Sequence, residues 1–252
     1  MRRVLTALLA LSVGAGAAEA QSKMLVRQPS TYLGYGYNNY YWNTFTGIFN
    51  GAFGASNIYQ TASVGTGSLT GYNALMLTLP NLPDAPYLLT ASEKTEITAF
   101  LNAGGRMYVF GENSAWQNWN NDIASLVGAT IGGSYSGTAL PVGTSGLLNG
   151  VNSVNYPAGG AFTSLGGGQA LFNTGVAGLF GPTDNALFIL DVNLCDDSNI
   201  GAADNQQFCS NIGGWLAGTI DPPTSAVPEP GSIALLATGL VGVVVTARRR
   251  KK

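Results

Sequence analysis

Apolar positions along this chain change spacing several times, and each change marks an element. Lys23 to Pro29, "KMLVRQP", holds a short apolar run that predicts a strand. Tyr41, Phe45, Ile48 and Phe49 then recur at helical spacing on one face, although Gly47 and Gly51 weaken that helix. Asn57 to Ser63 predicts a second strand. Asn73 to Pro80, "NALMLTLP", predicts a third, and its unbroken apolar run suits a strand buried on both faces.

The clearest unit follows. Thr90-Ala91-Ser92-Glu93 is a capping box, in which hydroxyl and carboxylate each satisfy an open backbone donor. Ile97, Phe100 and Leu101 line one face of the helix, and Gly104-Gly105 ends it. Arg106 to Glu112 predicts the next strand, so this βαβ unit implies a parallel pair with a right-handed crossover. A helix is expected from Trp116 to Val127, with Trp119, Ile123 and Leu126 or Val127 inward. Gly128 to Gly181 is rich in Gly, Ser and Thr and predicts small strands and long loops that extend the sheet. Asn185 to Asn193 predicts another buried strand, and Asp204 to Gln207 can cap a helix facing inward with Phe208, Ile212, Trp215 and Leu216. The alternation predicts one three-layer α/β domain with a mainly parallel sheet over residues 21–220.

Charge changes the picture at the two ends. Charged residues make up 10% of the chain, against ~25% in ordinary soluble domains. Asn, Ser, Thr and Tyr are expected to fill the polar surface instead. Seven of the eleven basic residues lie at Arg2, Arg3 and Arg248 to Lys252. From Ser22 to Pro223 there are four basic and eleven acidic residues, a net of −7, which excludes a phosphate-neutralising nucleic-acid binder. Arg2-Arg3, the apolar run from Val4 and Ala18-Glu19-Ala20 compose a secretory signal peptide over residues 1–20; a retained helix anchor is the other reading. Export into an oxidising compartment makes Cys195 and Cys209 a disulfide pair.

At the other end, Asp221 to Gly231 is a Pro-rich spacer, Ser232 to Ala247 an uncharged stretch of membrane-helix character, and 248–252 a basic tail held cytoplasmic. Val227-Pro228-Glu229-Pro230, the apolar stretch and the Arg-rich end occur in that order, and together they resemble the PEP-CTERM sorting signal of Gram-negative bacteria. The resemblance implies export across the inner membrane, transient anchoring, recognition of the Pro-Glu-Pro triplet by an exosortase, and a destination on the outer surface or in extracellular polysaccharide. A plain single-span tail anchor is the alternative.

A looser likeness covers most of the body. "YNALMLTLP", "LTASEKTEITAFLNAGGRMYVFGEN" and "LFILDVNLCDDSN…ADNQQFCSNIGGWL" resemble the non-enzymatic branches of the glutamine-amidotransferase-like fold. The likeness implies a flavodoxin-like α/β architecture and no activity. Enzymes of that fold carry a nucleophilic cysteine on a strand-to-helix elbow, and the matching stretch here, "FGENSAW", has none.

Candidate chemistry is correspondingly sparse. Histidine is absent, which removes Ser-His-Asp and Cys-His systems and HExxH zinc sites. Glu112, with Asn113, ends a parallel strand, where α/β ligand sites form; it is either a polar-ligand contact or a surface carboxylate capping the next helix. Asp191, Asp196, Asp197 and Asp204 crowd one loop, as calcium ligands or as a solvated loop with Asp204 at a helix N-cap. No other cofactor is implied. Tyr37, Tyr40 and Trp42 belong to the aromatic run Thr31 to Asn43, which either binds sugars or packs its rings inward. The expectation is an exported, non-catalytic structural or binding component of the cell envelope or polysaccharide matrix. The alternative is a glycan hydrolase using Glu112 and Asp191, since such chemistry needs only two carboxyl groups.

Overall fold

The first apolar run lies inside a seven-stranded sheet. The computed structural model describes residues 22–30, 34–84 and 86–220. The strands are β1 (Met24–Arg27), β2 (Ile58–Thr61), β3 (Ala74–Leu77), β4 (Arg106–Phe110), β7 (Gln169–Ala170), β8 (Ala177–Phe180) and β9 (Ala186–Ile189), and a separate hairpin pairs β5 (Thr130–Ala139) with β6 (Val154–Ser164). The helices are α1 (Asn43–Phe53), α2 (Ala91–Asn102), α3 (Gln117–Ala124) and α4 (Asn205–Ala217).

Strand order is β2-β1-β3-β4-β9-β8-β7. The first five strands are parallel, and β8 and β7 add an antiparallel edge. Every residue of β1, β3 and β9 is buried, as their continuous apolar runs require. Beginning at β1, the chain moves to β2 on one side and through β3, α2 and β4 to the other. Right-handed crossovers therefore put α1 and α2 on opposite faces. Phe45 of α1 meets Tyr108 and Phe110 of β4 edge-on, and α1 packs on α4. On the other layer Lys94 of α2 pairs with Asp122 of α3 at 2.6 Å. The three-layer α/β architecture is the expected one.

Several boundaries differ from the sequence reading. Strands are shorter than their apolar runs, because flanking residues such as Leu79 and Leu190 stay buried after the ladder ends. The helix expected from Trp116 starts as a 3₁₀ turn at Ser114–Trp116, and Leu126 and Val127 follow its end, only partly buried. The Gly-rich stretch forms more than small strands: β5 has 10 residues and β6 has 11, with register shifts that bend the pair. Asp204 precedes α4 but makes no side-chain cap; its Oδ2 accepts from the Asn152 and Ser153 amides at 2.8 and 3.2 Å.

The expected capping box at α2 is present and does more than cap. Glu93 accepts from the Thr90 amide at 2.9 Å while Thr90 Oγ1 accepts from the Glu93 amide at 3.2 Å. The same carboxylate takes Arg27 Nε at 2.7 Å and the Val64 amide at 3.1 Å. Arg27 Nη2 reaches the Tyr87 and Leu88 carbonyls, so one buried pair joins β1, α2 and two loops. Burial opposes ionisation of Glu93, yet the Arg27 bond and the amides outweigh it and hold the carboxyl below its ordinary range.

Cys195 and Cys209 form the expected disulfide, with Cα atoms 6.0 Å apart, and it ties the acidic loop to α4. The sorting-signal residues Val227 to Pro230, the signal peptide over 1–20, the spacer, the membrane stretch and the basic tail lie outside the described residues. Among the described residues no helix is long and apolar enough to cross a membrane.

Two stability predictions follow from these contacts. Glu93→Ala leaves the buried Arg27 charge uncompensated, and urea unfolding should show a loss of about 3–5 kcal/mol; a change within 1 kcal/mol would contradict the joining role. Purified protein should show no free thiol under denaturing labelling. Replacing both cysteines by serine should cost about 3 kcal/mol, the entropy of a loop of roughly 15 residues.

Candidate functional site

Two acidic residues end adjacent parallel strands. β4 runs on into Gly111-Glu112-Asn113 and β9 into Leu190-Asp191-Val192. Glu112 is 2% exposed and Asp191 fully buried, because the β5–β6 hairpin lies across the strand ends. The Gly160 amide donates to Leu190 O at 2.7 Å, Ala158 N to Asp191 Oδ2 at 3.0 Å, and Asn113 Nδ2 to Ala158 O at 3.0 Å. Only glycine allows this approach: a Cβ would come within 2.5 Å of Leu190 O at position 159 and 2.6 Å of Glu112 O at position 160.

Donors come mainly from the backbone. Glu112 Oε1 accepts from Asn113 N and Nδ2, both at 2.9 Å, and Oε2 from Val192 N at 3.1 Å. Asp191 Oδ1 accepts from Asn193 N at 2.8 Å. Asn120 of α3 clamps the Glu112 backbone, donating to its carbonyl and accepting from its amide. Burial pushes the Asp191 carboxyl up to about 6. Burial and then the Asp191 charge push Glu112 up to about 8, against its three donors. Asp191 ionises first, while Glu112 is neutral, so the repulsion falls on Glu112. Glu112 is buried rather than a surface cap, and Asn113 donates its side-chain amide to Glu112 and Ala158.

The acidic loop disperses its carboxylates. Asp196 Oδ1 takes the Ser198 and Asn199 amides. Asp197 accepts from the Asn43 and Thr44 amides at 3.1 and 2.8 Å, capping α1 from 153 residues away. Asp204 holds the loop before β6, as described above. Asp191, Asp196, Asp197 and Asp204 do not converge on one point: among the described residues no group of three or more His, Cys, Asp or Glu is placed to hold a metal ion. Each carboxylate has found amide donors of its own, so nothing drives the four together.

The aromatic run also packs mostly inward. Tyr37 is buried and donates its hydroxyl to Asn50 Oδ1 at 2.7 Å, and Trp42 is buried with Nε1 on the Val192 carbonyl. Tyr40 is 76% exposed. Tyr37, Tyr40 and Trp42 do not share one exposed surface, since Trp42 packs on Phe110 and Tyr37 bonds Asn50 of α1, both buried, while Tyr40 faces out.

An open cleft lies beside the covered carboxyls. Its volume is about 550 Å³, and Asn113, Ser114, Ser134, Tyr135, Ser136 and Pro157 line it. Ser114 Oγ and Ser134 Oγ are 2.7 Å apart and join the β4 loop to β5. Sequence reading placed Asn113 at a ligand site but missed Ser134, Tyr135, Ser136 and Pro157, which sit in the Gly-rich stretch; the signal was a lone tyrosine within "GGSYSG".

Comparison with known proteins agrees with the fold and adds the sorting signal. Residues 226–251 match the PEP-CTERM protein-sorting motif. That motif implies an exported, surface-sorted protein processed by an exosortase. No curated protein matches over the chain. Among solved structures, the mmIFT52 N-terminal domain aligns with a TM-score of 0.57 at 12% identity, covering 77% of this chain and 96% of that one. The cold-adapted β-galactosidase from Rahnella sp. R3 aligns at 0.49 and 14% identity, covering 79% of this chain and 31% of that one. PurLQS from Thermotoga maritima aligns at 0.48 and 10% identity, over 78% of this chain and all of that one. The first of these likenesses shows a shared fold.

The carboxyl pair sets a pH dependence. Both groups bind protons more tightly folded than unfolded, so stability falls as pH rises from about 4 through 8. Glu93, Asp197 and Asp204 are shifted down, so their contribution is lost below their ordinary range near 4. The thermal midpoint should therefore peak near pH 4–5 and decline toward pH 9. Glu112→Gln should remove most of the decline between about pH 6 and 8; an unchanged slope would contradict the assignment.

Proposed function

We propose that the mature body is a non-catalytic structural or binding component of the cell envelope or its polysaccharide matrix. The reading places the body on the outer side of the inner membrane, anchored by residues 232–247 until an exosortase acts near Val227-Pro228-Glu229-Pro230. One observation carries the non-catalytic part: Glu112 and Asp191 are covered by the hairpin and occupied by amide donors, while the accessible surface beside them is neutral. Both cysteines are in a disulfide, and the chain has no histidine to act as base.

A second reading has one observation in its favour. Glu112 at about 8 and Asp191 at about 6 are split in the manner of a general acid beside an ionised carboxylate. A hydrolase built on them would need the hairpin to lift from the strand ends, breaking the Gly160, Ala158 and Asn113 bonds.

Intact-mass measurement tests delivery. Protein from cells with an exosortase should end within the spacer, and protein from cells lacking it should keep Arg248 to Lys252. Identical C-termini would overturn the transient anchor. Incubation with envelope polysaccharide should release no reducing ends; release abolished by Glu112→Gln would install the hydrolase reading instead.

A further inference from the structure

We propose that the cleft between the β4 loop and the β5–β6 hairpin is a binding site for a neutral saccharide, with the Tyr135 ring as its stacking platform. This rests on the reading of the body as a binding component and names its ligand class. The cleft opens at the carboxyl end of β4, the side on which open α/β sheets place their ligands. Its volume of about 550 Å³ falls within the range of small-ligand sites, roughly 300–1,000 Å³.

The local backbone presents Tyr135. The β5–β6 register shifts on both sides of it, between Gly132 and Tyr135 and between Tyr135 and Gly137. Such bulges turn a side chain away from the regular alternation. Gly133 has φ +76°, and a Cβ there would lie 2.3 Å from the Tyr135 ring, so the ring lies against a glycine backbone. The ring is thereby propped in place yet stays 49% exposed. An exposed aromatic held by its own strand carries little ordering cost on binding.

The lining chemistry selects the ligand. None of the lining residues is charged. Ser114 and Ser134 spend one hydrogen bond on each other, which leaves hydroxyl capacity at the pair, Ser136 adds a third hydroxyl, and all three residues are exposed. A matching ligand has an apolar C–H face for the ring and hydroxyls at its edge, which describes a pyranose. The body's excess of acidic residues, net −7 between Ser22 and Pro223, disfavours an anionic polymer.

The test uses purified protein on an array of neutral oligosaccharides, with alginate and heparin as anionic polymers. Binding to at least one neutral saccharide is expected. It should weaken roughly tenfold or more in Tyr135→Ala and persist in Tyr135→Phe, as for an aromatic anchor. Tyr40→Ala, an exposed tyrosine elsewhere, should bind as wild type. An unchanged thermal midpoint in Tyr135→Ala shows that the hairpin is intact. No neutral ligand, binding to the anionic polymers alone, or full binding by Tyr135→Ala would each overturn the proposal. Those failures are separable from failure of the broader reading, which is signalled by reducing-end release.

Discussion

A buried carboxylate must be given hydrogen-bond donors or a proton, and this body has few cations to offer. Between Ser22 and Pro223 eleven acids face four basic residues. Glu93 takes the guanidinium of Arg27. Glu112, Asp191, Asp196, Asp197 and Asp204 take main-chain amides instead, and those amides belong to loops and helix starts that would otherwise lack partners. The acids thereby set the path of the loops around the sheet. Where amides suffice, ionisation is favoured, as at Asp197 and Asp204; where burial is deeper and a second carboxyl is near, as at Glu112, the proton is kept.

Asparagine does the same work without charge. Asn205 donates to the Asn155, Leu194 and Asn199 carbonyls and accepts from the Asn155 amide. Asn211 donates to the Leu147 and Asn149 carbonyls, and Asn185 to those of Leu101 and Gly105 at the end of α2. Asn120 holds both backbone groups of Glu112. All four are buried. A side chain with both donor and acceptor can close irregular backbone that no ladder reaches. The low charge of the chain thus reflects interior clamps as well as a neutral surface.

Particular residues show how far the sequence could be read. "NALMLTLP" and "RMYVFGE" identified sheet strands because a strand buried on both faces must be apolar throughout. Thr90 and Glu93 identified the start of α2 because the capping box closes within four residues. Asp197 capping α1, Arg27 meeting Glu93, and β6 crossing β4 and β9 join residues from 66 to more than 150 positions apart or hang on register, and no local pattern announces them. For Tyr37 and Trp42 the sequence left surface and interior both open, because alternation with Gly and Asn has no period; packing on Phe110 and the Val192 carbonyl buried Trp42, and Tyr37 turned in to Asn50 of α1.

What the sequence by itself determined is the α/β layering, the disulfide pair, the absence of histidine chemistry and the C-terminal sorting motif, each encoded in composition, spacing or short contiguous motifs. Only the tertiary structure decided that Glu112 and Asp191 share a covered site, that each acidic-loop carboxylate takes amide donors of its own, and that the open surface beside the strand ends carries Tyr135. The first and last of these depend on the hairpin settling through Gly159 and Gly160 onto the carboxyl ends of two strands, a long-range contact whose closeness is visible only once the chain is folded.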